Sequence, residues 1–169
     1  MRTRTGETMT HPAPSTPDLL LRLLKLASFI SGPMKDGVCD AVDIAPAELR
    51  VIMALAGEGD LAGHDLVEIT GLPAMNVSRA IAALRARGWI EDAIDPDNRR
   101  RRPVRLNAAG HAAYARTQPF FDVVAQAVLG TLNAAQRRQL ATLSDRVNAE
   151  LVRWIRDHHA EIRIKSLDN

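Results

Sequence analysis

Four consecutive arginines, Arg99, Arg100, Arg101 and Arg102, sit in the segment DPDNRRRRP, where Asp, Pro and Asn favour a tight turn. A guanidinium is a permanently charged, planar donor fork that suits phosphate oxygens and the negative potential of a narrow minor groove. Upstream, residues 73–87 place Val77, Ala80, Ile81 and Leu84 at helical spacing. The opposite face is left to Met75, Asn76, Ser78, Arg79 and Arg85. These side chains can donate to phosphates, bond to base edges or touch a thymine methyl. Asn76 could read adenine or another base, and Arg79 could choose between guanine and phosphate.

Charge is distributed unevenly. The 169-residue chain carries a formal net charge of +2, which alone singles out no partner. Residues 73–107 hold eight arginines against four acids, a net of +4, so the remainder is net negative. Such asymmetry is the electrostatic footprint of a polyanion site. A solvated charge run is the bland alternative, and the adjacent helical motif argues against it.

The elements that must position these residues follow from local signals. Asp18, after Pro17, is placed to cap a helix whose apolar residues Leu19, Leu20, Leu21, Leu23, Leu24, Leu26, Ala27 and Ile30 surround most of its circumference. Such a helix needs two neighbours, and a second copy of the chain is the simplest second one; a central core helix of a monomer is the alternative. Ser31, Gly32 and Pro33 are expected to break or kink it before residues 34–40. Pro46 opens a second helix, with Glu48 complementing its dipole and an apolar face of Leu49, Ile52, Met53 and Ala56 ending at Gly57. Residues 64–70, stopped by Gly71, and residues 73–87 form two short helices joined by a tight glycine-containing turn, the helix-turn-helix signal.

Residues 89–94 and 104–106 read as a hairpin whose arginine-rich tip is a wing. Asn107 can cap a helix from Ala108 to about Gly130, and Asn133 with Gln136 forms a capping box opening another over 134–157. The expected fold class is mainly α with a small β-hairpin wing. The expected division is a disordered tail at 1–16, a dimerisation helix region at 17–44, a winged helix-turn-helix lobe at 45–107, C-terminal dimerisation helices at 108–158 and a flexible tail at 159–169.

In this order and spacing, APAELRVIMALA, DLVEITGLPAMNVSRAIAALRARGWIED and DPDNRRRRPVRLNAAG resemble the MarR family of transcriptional regulators. The resemblance covers residues 45–110 strongly. It implies a homodimer with interlocked terminal helices, two winged lobes on a near-palindromic operator in double-stranded DNA, and commonly repression. It also implies that Arg100 is the minor-groove arginine. Two positions depart from the pattern. Asn98 stands where an Asp usually salt-bridges that arginine, and Ala45 stands where a Ser or Thr usually caps the second helix.

The resemblance further implies a pocket for a small aromatic acid or phenolic effector, for which Ser28, Phe29, Arg50, His111 and Tyr114 are candidates. Each has a plainer reading as a core or solvated side chain. Redox sensing at the lone cysteine, Cys39, is an alternative, disfavoured by Asp36, Asp40 and Asp43 nearby, which would raise a thiol pKa. A winged helix used only for protein contacts is another. The chain lacks a phosphate loop, an HExxH motif, a dinucleotide fingerprint and a nucleophile elbow, so no enzyme and no cofactor are expected. His158, His159 and Cys39 lack zinc spacing, so no metal is expected either. The N-terminus has no apolar h-region and no run suits a membrane, which makes a soluble cytoplasmic protein the default.

Overall fold

A computed structural model of the chain describes residues 13–96, 98 and 101–165, with side chains through residue 157. The order is α1 (Thr16–Met34), a π-helical turn (Lys35–Cys39), a 3-10 turn (Asp40–Val42), α2 (Pro46–Glu58), α3 (Gly63–Thr70), α4 (Ala74–Ala86), β1 (Ile90–Asp92), β2 (Val104–Leu106), α5 (Ala108–Leu129) and α6 (Ala134–Lys165). It is the expected mainly helical chain with one antiparallel hairpin, in register Ile90 to Leu106.

One core serves the middle of the chain. Ile52 and Leu55 of α2, Leu66 of α3, Val77 and Leu84 of α4, and Val104 and Leu106 of β2 are buried together. Val38 and Cys39 close this core from the π turn, where Gly37 approaches Val124 of α5. An isolated bridge between Leu61 and Val104 ties the approach to α3 to the wing strand. Asn107 caps α5 as expected, its side chain accepting from the Gly110 N–H. It also donates to the Gly88 carbonyl, and its own N–H donates to the Trp89 carbonyl. Gly110 is required there, because a Cβ would lie 2.1 Å from the Trp89 carbonyl oxygen.

Three expectations are corrected. Ser15, not Asp18, caps α1; Asp18 is the N3 partner of a capping box, receiving the Ser15 hydroxyl at 2.6 Å. Pro17 falls in the first turn, where its missing N–H costs nothing. Ser31, Gly32 and Pro33 do not break the helix: α1 runs through Pro33, and the backbone widens afterwards at Lys35–Cys39. The chain turns at Asp43, which holds a left-handed φ of 55°. At the other end, α6 opens on the expected Asn133–Gln136 box but continues to Lys165, past the expected fraying point at His158.

Two apolar surfaces are left uncovered. No residue of α1 is buried, and Leu20, Leu21, Leu24 and Leu26 are each more than half exposed. Along α6, Leu140, Leu143, Val147, Leu151 and Trp154 recur at helical spacing and are likewise exposed. Near its C-terminal end, Arg156 reaches Glu68 of α3 at 3.5 Å.

Candidate nucleic-acid interface

The helix-turn-helix is built by short-range chemistry. Gly71 ends α3 in the left-handed region, at φ 66°, which glycine adopts without steric cost. The Thr70 hydroxyl donates to the Leu66 carbonyl and accepts the Leu72 N–H, and Pro73 then starts α4. Val77, Ala80 and Leu84 anchor α4 in the core. The expected opposite face is exposed as a unit: Met75, Asn76, Ser78, Arg79 and Arg85 all meet solvent. No acid occupies the first turn of α4 and no side chain caps it, so the positive end of its dipole is unopposed.

The arginines divide into two groups. Arg85 is paired with Asp92 of β1 at 2.5 Å. Arg87, the C-cap of α4, turns inward: its Nε lies 3.4 Å from Oε2 of Glu48, a buried oxygen without a hydrogen bond, and its guanidinium stacks over Trp89. Arg116 of α5 covers the same indole, 6.0 Å from its centroid. Arg105 lies between Asp60 and Glu91. Arg79 and Arg102 are exposed and make no ion pair among the described residues. Arg99 and Arg100, both expected to face DNA, lie outside the described residues.

Arg101 departs from the surface role expected of it. Its side chain is only 29% exposed and points into the lobe, with Nη2 on Asp65 Oδ2 and Nη1 on Asp95 Oδ2 at 3.0 Å. Asp95 also accepts the Asn98 N–H, and the Arg101 N–H donates to the Asn98 carbonyl, so the loop closes on itself. Asp65 accepts the Ala62 N–H at 2.7 Å, securing the start of α3. Burial opposes the charged form of Asp65, yet the Arg101 guanidinium and the Ala62 N–H outweigh it and hold the carboxyl below the usual aspartate range. A residue count cannot reveal such pairing, but Asp95 before Pro96, at the first position of a turn, was the available signal.

The five effector candidates are dispersed over α1, α2 and α5. The Ser28 hydroxyl donates to the Leu24 carbonyl, and Phe29 is 68% exposed beneath Lys25. Arg50 and His111 are exposed, while Tyr114 packs half-buried against the core. No hydrogen bond or ion pair joins any two of them. Cys39 is fully buried, and burial followed by the Asp40 charge raises its thiol pKa, against a reactive thiolate. Among the described residues no cluster of His, Cys, Asp and Glu could hold a metal ion, and no helix is long and apolar enough to cross a membrane.

Residues 42–101, which hold the helix-turn-helix and the first half of the wing, match the family model described as MarR family. Over these 60 residues, about a third of the chain, the sequence is similar to the MarR family. Among solved structures, the chain is similar to Bordetella bronchiseptica BpsR, whose DNA binding is regulated by 6-hydroxynicotinic acid. The two are 26% identical, with a TM-score of 0.63, and the match covers 81% of this chain and 95% of that one. A MarR-family transcriptional regulator from Silicibacter pomeroyi is 22% identical, with a TM-score of 0.65 and coverage of 79% and 88%. CouR from Rhodococcus jostii RHA1, solved bound to p-coumaroyl-CoA, shares the fold at 12% identity, with a TM-score of 0.70 and coverage of 78% and 92%. A search of the curated proteins by sequence gives no match.

Proposed function

We propose that this chain is a homodimeric repressor of the MarR family that binds a near-palindromic operator and is released by a small aromatic acid or phenolic ligand. The observation that carries the reading is the exposed face of α4, with Asn76, Ser78 and Arg79 beside a wing rich in arginine. A helix presenting amide, hydroxyl and guanidinium groups fits a major groove, and a wing bearing Arg99, Arg100 and Arg102 suits the neighbouring minor groove. The uncovered leucines of α1 and the apolar stripe of α6 support the homodimer, because together they expose more apolar surface than a stable monomer keeps. A two-fold dimer sets two half-sites about one helical turn, roughly 34 Å, apart.

The effector reading rests on the family and on the aromatic acid that regulates BpsR. Ser28, Phe29, Arg50, His111 and Tyr114 are the proposed contacts, on helices that adjoin where α5 meets α1 and α2. Tenfold loss of operator affinity requires about 1.4 kcal/mol of preference for the DNA-incompetent arrangement. The test is a selection of duplexes from a random-sequence pool, followed by gel shift of the winner across salt and with aromatic acids added. Specific, steeply salt-dependent binding that an aromatic acid relieves is expected. Failure to select any duplex favours a protein-contact role instead, and binding unaffected by every aromatic acid removes the proposed effector class.

A further inference from the structure

The wing carries four adjacent arginines that a sequence treats alike, and of the two that the structure describes it separates Arg101 from Arg102. Arg101 is held by two carboxylates from different elements: Asp65 in the first turn of α3 and Asp95 at the mouth of the wing loop. A planar fork can meet two carboxylates at once, which a point-like ammonium does less well. The contact to Asp65 joins residues 36 apart in sequence and is partly shielded from water, Asp65 being 21% and Asp95 13% exposed at the side chain. Each acid is also committed to a backbone N–H, Ala62 for Asp65 and Asn98 for Asp95. The guanidinium therefore links two closed local motifs, the start of the helix-turn-helix and the base of the wing.

We propose that Arg101 is a positioning residue of the wing: clamped between Asp65 and Asp95, it fixes the wing base against α3 and raises DNA affinity without touching a phosphate. The proposal rests on the DNA-binding reading above. It has a consequence opposite in sign to that of a phosphate contact. Were Arg101 a phosphate ligand, Asp65 would compete for it, and neutralising Asp65 would strengthen binding. As a clamp, losing Asp65 loosens the wing and weakens binding, even though a negative charge beside the DNA has been removed.

The experiment measures affinity of the wild-type chain and of Arg101→Ala, Arg102→Ala and Asp65→Asn for one duplex selected by the wild type from a random pool, over a series of salt concentrations. Circular dichroism confirms that each variant is folded at the assay temperature. Arg101→Ala is expected to weaken binding about fivefold with the slope of log K against log salt unchanged, and Asp65→Asn to weaken it as well. Arg102→Ala, the exposed control, should flatten the slope by about 0.9, the increment for one phosphate no longer neutralised. A double variant of Arg101 and Asp65 should lose little more than either single one. A flattened slope in Arg101→Ala, or tighter binding in Asp65→Asn, overturns the proposal while leaving the DNA-binding reading intact. A wild-type chain that selects no duplex overturns that reading itself.

Discussion

Glu48 and Arg87 pair across the lobe, Oε2 to Nε at 3.4 Å, joining the first turn of α2 to the end of α4. The sequence suggests only that Glu48 favours the α2 dipole. The structure adds that its side chain is buried and that Arg87 is its counter-ion. Arg87→Ala should therefore strand a buried carboxylate. We expect a loss of about 2 kcal/mol, less than the roughly 3–5 kcal/mol for breaking a fully buried pair, because Arg87 is one-third exposed. Urea unfolding checks this, and adding Glu48→Gln to Arg87→Ala should recover part of the loss.

Gly110→Ala should destabilise by about 3 kcal/mol, since the new Cβ meets a backbone oxygen that cannot move aside as a side chain would. An unfolding midpoint within a few tenths of a degree of wild type would mean that α5 is not seated on Trp89 as described.

Stability should fall in acid partly through Asp65. Its carboxyl sits below the ordinary range in the folded chain and at about 4 in the unfolded one, so the native state binds fewer protons. The contribution is complete above the unfolded value and is lost as the pH falls through the folded one. The gap in thermal midpoint between wild type and Asp65→Asn should be widest near neutrality and should narrow below about pH 4.

Leu24→Glu on α1, or Leu143→Glu on α6, should split the proposed homodimer into monomers while the winged lobe keeps its helicity. Removing one leucine burial from each protomer costs about 4 kcal/mol across a two-fold interface, or about a thousandfold in the association constant. Sedimentation velocity reads the first effect and circular dichroism the second.

Cys39 should resist thiol reagents in the native chain at neutral pH and react fully in denaturant, which absorbance of a released chromophore follows. Rapid native labelling would revive the redox reading that its burial argues against.

Much of the fold was legible because its signals are local. Gly71 and Pro73 bound the turn, Asn107 and Asn133 cap the last two helices, and the spacing of Val77, Ala80 and Leu84 orients α4. The start of α1 was misjudged because Ser15 and Asp18 are both good caps, and only the backbone decides which one stands outside the helix. The π turn was invisible because it depends on Val38, Cys39 and Gly37 settling against distant parts of the chain. At the interface, composition gave the excess of arginine but not its distribution. Arg85, Arg87, Arg101 and Arg105 are balanced by acids up to 45 positions away, the span from Arg105 to Asp60, and proximity of that kind exists only after folding.

Asn107 ties the start of α5 to the Gly88 and Trp89 carbonyls, just past the end of α4. As a straight rod, its 22 residues would span about 33 Å. As a lever pivoted at its far end, it would carry α4 through about 3 Å for each five degrees of swing, close to the roughly 3.4 Å rise of one base-pair step. A few degrees between the two arms of a dimer would thus be enough to put the paired reading heads out of phase with the helical repeat of DNA.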